Sequence, residues 1–158
     1  MTSISQGKKV PDFSATATSN RTVRLKDLKG KKVVLYFYPR DSTPGCTTEG
    51  QDFRDQFAAF EKAGAEILGV SQDSLKSHEN FRSKQDFPFD LISDEDGSLC
   101  RLFDVLKMKS MYGKQFEGIE RSTFLLDGNG KLLREWRKVK VPGHVAEVLD
   151  AVRASRQG

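Results

Sequence analysis

The sequence predicts an α/β fold built on a central mixed sheet with helices on both faces. Three observations carry that prediction. Two apolar stretches, "VVLYFY" and "AEILGVS", are rich in β-branched and aromatic residues, as strands covered on both sides are. Each is followed by a segment with helical rather than alternating rhythm. A third strand then gives way to a hairpin pattern and a closing helix, which adds antiparallel pairing to parallel crossovers.

The elements follow in chain order. Val10 to Leu28 is expected to add a small N-terminal hairpin extension. Val33 to Tyr38 is the central strand, closed by Pro39. In the next segment Cys46, Gly50, Phe53, Phe57 and Phe60 recur on one helical face, and Gly64 is its stop. "AEILGVS" is the second strand. "DSLKSHENFRSKQDF" reads as a helix capped by Asp73 or Ser74, with Leu75, His78 and Phe81 in register. "FPFDLISD" is a third strand and "GSLCRLFDVL" a short helix. "LKMKSMYGKQFEG" reads as a connecting loop. Its Met108, Met111, Tyr112 and Phe116 suit either an apolar collar around a site or a surface loop pinned by aromatics. "ERSTFLLDGNGKLLREWRKV" is a hairpin turning at Asp127-Gly128-Asn129-Gly130, with Trp136 half-buried. Pro142 to Ser155 is a helix with Val145, Val148, Leu149 and Val152 on one face. His78 and His144 read as exposed helix residues, and Tyr38 and Phe89 as core. A thioredoxin-like α/β fold has this layout, in a single domain over residues 1–158.

Composition narrows the function. The chain has 158 residues, enough for one domain with a real core. Its net charge of +4 is spread among interspersed acids and bases, which describes a solvated surface better than a nucleic-acid groove. No apolar run approaches the ~20 residues that cross a bilayer. The start, "MTSISQGKKVPDF", lacks the apolar centre of a secretory signal, so the expectation is a cytoplasmic location, or else a mature chain from which a signal has been cut. Two cysteines, Cys46 and Cys100, are too few for a disulfide scaffold. With only two histidines the ligand pool is small, and neither a metal nor a cofactor is expected.

Cys46 stands out by its lead-in, "PRDSTPGC". It falls on the phenylalanine stripe, hence toward the core, and in the first turn of its helix, where unpaired N–H groups favour an anionic sulfur. Pro44 suits a helix start, Gly45 lets a reactant approach, and Thr43 is placed to cap the turn or touch the sulfur. A buried cysteine more often just packs. A packing cysteine, however, needs no Thr-Pro-Gly approach from the carboxyl end of a central strand, where ligands of open α/β sheets bind.

"PRDSTPGC" resembles the P-x-x-x-T-x-x-C signature of the peroxiredoxins, and "STPGCTTEG" resembles their bacterioferritin comigratory protein, or Q-type, branch. "KVPDF", "GVSQDSLKSHENF", "PFDLISDEDG" and "GIERSTFLLDGNGK" extend the likeness over nearly the whole chain. The resemblance implies a thiol peroxidase acting in antioxidant defence on hydrogen peroxide and organic hydroperoxides. Cys46 would be the peroxidatic cysteine, cycling through sulfenic acid. It would be served by Thr43, its own backbone N–H and Arg121, and shielded by Pro39. Glu49, one turn on, would bond Arg121. Apart from the resemblance, Arg121 reads as a surface strand charge and Glu49 as a solvated helix acid.

The chain departs from the Q-type pattern in its resolving cysteine. The two positions that hold one in such proteins, five and 36 residues after the first, are Gln51 and Arg82 here. Cys100 is flanked by Leu99, Leu102 and Phe103, and reads as a packed thiol. A one-cysteine cycle is therefore expected, recycled by an external thiol such as thioredoxin, glutaredoxin or glutathione, in a monomer or a dimer. Two alternatives are a two-cysteine cycle resolved by Cys100 and a peroxide sensor or binding module on the same fold. A thioredoxin-type disulfide oxidoreductase is disfavoured, because Thr43 and Glu49 occupy the positions where a C-x-x-C partner would stand.

Overall fold

The computed structural model describes residues 4–155. The N-terminal hairpin of β1 (Ser14–Ala17) and β2 (Arg21–Arg24) is followed by a 3-10 turn at Leu25–Leu28. Next come β3 (Lys32–Phe37), α1 (Pro44–Asp55) and α2 (Phe57–Lys62). The middle of the chain forms β4 (Ala65–Ser71), α3 (Leu75–Gln85), β5 (Asp90–Ser93) and α4 (Ser98–Leu102). The last third forms β6 (Leu106–Met111), β7 (Lys114–Ile119), β8 (Ser122–Leu126), β9 (Leu132–Trp136) and α5 (His144–Ala154).

Seven strands make one mixed sheet in the order β2-β1-β5-β4-β3-β8-β9. β3, β4 and β5 run parallel, and β8 lies antiparallel on the other side of β3, with Phe37 opposite Ser122. β3 is buried along its whole length because both sheet faces are covered. Its alternate residues feed two separate cores. Val34, Tyr36 and Tyr38 join Phe53, Phe60, Phe81, Val148 and Cys46 on one face. Val33, Leu35 and Phe37 join Leu99, Cys100, Phe103 and the N-terminal Val23, Leu25 and Leu28 on the other. Helices thus lie on both faces, but unevenly: α1, α2, α3 and α5 share one, and α4 shares the other with the N-terminal segment.

Several elements differ in detail from the sequence reading. The stripe from Cys46 to Phe60 spans two helices. The chain bends at Gln56, whose N–H is shared between the Asp52 and Phe53 carbonyls. The bend keeps Phe53 and Phe60 fully buried while Phe57 turns half out. The N-terminal hairpin is part of the main sheet, joined through the pairing of β1 with β5. Residues 106–119 are a two-stranded hairpin rather than a loop. Its turn is Tyr112-Gly113, both with positive φ, the geometry of a two-residue hairpin turn. Met108, Met111, Tyr112 and Phe116 are all exposed on it.

Both histidines are buried, contrary to expectation. His78 is 0% exposed because its two ring nitrogens have partners, the Asp41 carboxylate and the Ile92 carbonyl. His144 meets the Thr123 hydroxyl at 2.8 Å and the edge of Trp136. Burial lowers His144 to about 4, so it stays neutral. Tyr38 and Phe89 are core, and Gly64, at positive φ, closes α2 as expected.

Candidate active site

The site forms where β3 ends. Tyr38 remains in the core, Pro39 and Arg40 are exposed, and the chain turns into α1 through Thr43. Pro44 opens the helix, where a missing N–H costs nothing. Thr43 is the N-cap residue, but its side chain does not cap the helix. Its hydroxyl donates instead to the Arg40 carbonyl at 2.9 Å, which leaves the oxygen lone pairs free to accept. The Cys46 N–H lies in the first turn, where a helix offers it no partner. Cys46 itself is 2% exposed, a free thiol in the aromatic core of Tyr36, Tyr38 and Phe53.

Arg121 arrives from β8. It stands immediately before that strand, and the pairing of Ser122 with Phe37 brings it to the end of β3. One guanidinium nitrogen, Nη2, donates to Cys46 Sγ at 3.4 Å. The other, Nη1, donates to Glu49 Oε1 at 2.6 Å. Burial opposes the charge on Arg121, but Glu49 and Cys46 outweigh it and its pKa is raised. The guanidinium stays cationic. Gly45 makes room for it: a Cβ at that position would sit 3.1 Å from Nη2. Gly50 answers a different demand, since a Cβ there would collide with the Phe87 ring.

Glu49 is fully buried and pulled two ways. Arg121 favours its ionised form, yet its second oxygen, Oε2, has no partner among the described residues. Burial is the larger effect and pushes the carboxyl up to about 7. Lys109 of β6 is a neighbour that sequence reasoning missed. It is half-buried, donates from Nζ to the Ile119 carbonyl at 2.6 Å, and feels the charges of both Arg121 and Cys46. Reading residues 106–119 as a loop hid its placement.

Cys46, Glu49 and Arg121 thus converge in one constellation, and Thr43 and Pro39 occupy the loop that leads into it. Cys100 does not join them. It lies in the core on the opposite face of the sheet, its N–H held by Asp94 at 2.8 Å. Burial, then Asp94, raise its pKa strongly, so it remains a thiol. At the two alternative resolver positions, Gln51 bonds Gln85 and Arg82 bonds the Phe89 carbonyl.

A buried thiol at a helix N-terminus, met by a guanidinium at the carboxyl edge of a thioredoxin-like sheet, has the makings of a thiol-dependent redox site. The AhpC/TSA family model matches residues 6–134. A peroxiredoxin Bcp of Xanthomonas campestris is 56% identical over 143 residues, covering 90% of this chain and 89% of that protein. The peroxiredoxin Q of Xylella fastidiosa, solved as a cysteine-to-serine mutant, superposes with a TM-score of 0.90 at 43% identity, over 96% of each chain. A bacterioferritin comigratory protein of Xanthomonas campestris, studied for alkyl peroxide reduction, superposes with a TM-score of 0.86 at 55% identity, over 90% of each chain. The chain belongs to the AhpC/TSA family, in its Bcp or Q-type peroxiredoxin branch. As a peroxiredoxin it is a thiol peroxidase, with a peroxide as substrate and a thiol as reductant.

Proposed function

We propose that Cys46 is the peroxidatic cysteine and that Arg121, Thr43, Glu49 and Pro39 serve it. The carrying observation is the 3.4 Å contact from Arg121 Nη2 to Cys46 Sγ, with Nη1 held by Glu49. The Cys46 thiolate attacks the terminal oxygen of a hydroperoxide. A sulfur–oxygen bond forms, the O–O bond breaks, and the electron pair leaves on an alkoxide or hydroxide, which takes up a proton. Charge moves from sulfur to the departing oxygen, so donors fixed along that path stabilise the transition state more than the ground state. Arg121 and the Cys46 N–H supply donors. The Thr43 oxygen accepts the O–H of the incoming peroxide, since its own proton is committed to Arg40. Glu49 fixes the tilt of the guanidinium. Pro39, exposed at the rim, limits the approach of water.

Recycling runs through one cysteine. A reductant thiol attacks Cys46–SOH, releasing water and leaving a mixed disulfide. A second thiol displaces Cys46 and carries off the new disulfide. The support is the position of Cys100 on the far side of the sheet. Hydrogen peroxide and organic hydroperoxides are the substrates, and thioredoxin, glutaredoxin or glutathione the reductant, in a cytoplasmic monomer.

Trapping tests the reading. Reduced protein is mixed with one equivalent of hydrogen peroxide and dimedone, and the adduct is mapped by mass spectrometry. An adduct on Cys46 within seconds, absent from Cys46→Ser, is expected. An unreactive Cys46 would point to a binding module on this fold instead.

A further inference from the structure

Asp41 sits between Pro39 and Thr43, in the loop that delivers Cys46, yet its carboxylate turns inward and is 3% exposed. Both oxygens are fully engaged. Oδ1 accepts the Tyr38 hydroxyl at 2.7 Å. Oδ2 accepts the Ser77 hydroxyl at 2.8 Å and faces His78 Nδ1 at 2.7 Å. The Asp41 N–H donates to Asp73 Oδ2 at 2.8 Å, and that same oxygen accepts from Ser71. His78 Nε2 faces the Ile92 carbonyl at 2.8 Å. The Ile92 carbonyl can only accept, so Nε2 donates to it, and Nδ1 closes the second contact, with the Asp41 carboxyl group. His78 is a clamp between the loop and β5, and with Ser77 it ties the loop to α3. Ligand-type atoms of Asp41, Asp73 and His78 lie within 4.8 Å of one another, but their lone pairs already face donors.

α1 has no side-chain cap of its own. The loop that enters it, held by Asp41, therefore helps to set the position of its first turn. We propose that Asp41 and His78 are positioning residues for the peroxidatic step, holding the Pro39–Thr43 loop so that Cys46 meets Arg121. The inference rests on Cys46 as the reacting thiol. Neither residue touches the sulfur or the peroxide. Their effect is geometric, and a displacement near 1 Å in a reacting group costs on the order of 10²-fold in rate.

Two substitutions separate positioning from mere stability. The amide nitrogen of asparagine reproduces His78 Nδ1, and that of glutamine reproduces Nε2. His78→Asn keeps the donor to Asp41, whereas His78→Gln keeps only the donor to Ile92. Sulfenic acid formation on Cys46 is timed in the full chain by rapid-quench dimedone trapping, alongside melting temperature. His78→Gln is expected to react about 10²-fold more slowly than wild type, with His78→Asn recovering most of that loss, although both melt lower. Equal rates in the two variants, or a His78→Gln variant as fast as wild type, would overturn the proposal. If the His78 variants do not fold, Tyr38→Phe carries the test by removing the donor to Oδ1, and an unchanged rate there overturns it equally. A wild-type chain that gives no Cys46 adduct sinks the peroxidatic assignment itself, and this inference with it.

Discussion

The Arg121 guanidinium lies directly against the bare Cα of Gly45. The same Nη2 that reaches Cys46 Sγ would stand 3.1 Å from a Cβ at that position, tighter than an ordinary van der Waals contact. The close approach of the arginine thus favours glycine here. Gly45→Ala should push Nη2 aside by a few tenths of an ångström and lower the rate of Cys46 oxidation by about tenfold, a fraction of what losing a whole donor costs. The helix should not suffer, because alanine is the better helix former by up to ~1 kcal/mol. A slower reaction with an unchanged melting temperature is the expected pair of results. A rate equal to wild type would mean that the Arg121 contact does not govern the step.

Cys46 and Cys100 lie in different cores, separated by the central sheet. A disulfide needs Cα atoms within about 7 Å, so bridging cysteines that lie in separate cores would require local unfolding around at least one of them. Cys100→Ser should therefore retain turnover with an external thiol to within about twofold, as expected for a site independent of the reaction. It should melt lower, because a hydroxyl replaces a thiol in an apolar core. Mass spectrometry of the peroxide-treated wild type should find no Cys46–Cys100 bridge. Loss of thioredoxin-dependent turnover with the first oxidation intact would assign Cys100 as the resolver.

The site was legible in sequence where chemistry is local. Pro44, Gly45 and Cys46 are consecutive, and their helix start follows from residue type alone. Arg121 was legible only through the family likeness, since nothing in "GIERSTF" says that β8 pairs with β3. The buried histidines were not legible. A histidine at a helical position reads as polar until its partners are known, and the partners of His78, Asp41 and Ile92, come from a loop and a strand remote in sequence. The hairpin at 106–119 was missed for another reason. Its turn, Tyr112-Gly113, lacks the usual Asn-Gly or Asp-Gly, and the apolar alternation of "LKMK" stops after four residues, on a hairpin that leaves its large apolar side chains exposed.

Glu49 gives the fold a pH dependence whose sign is fixed by burial. Its carboxyl titrates at about 7 in the folded protein, against 4.5 for an ordinary glutamate. Between those values the folded chain holds a proton that the unfolded chain releases. Stability must therefore fall as pH rises through that window, and the loss is complete above about 7. The full effect is on the order of 3 kcal/mol. Arg121 limits it by pairing with Oε1, and the orphaned Oε2 keeps it from vanishing. Glu49→Gln removes the titrating group while keeping the shape. Denaturant unfolding at intervals from pH 5 to 8 should show wild type losing stability relative to Glu49→Gln across the window. Parallel curves would mean that Glu49 is ionised throughout, held by Arg121 despite its burial.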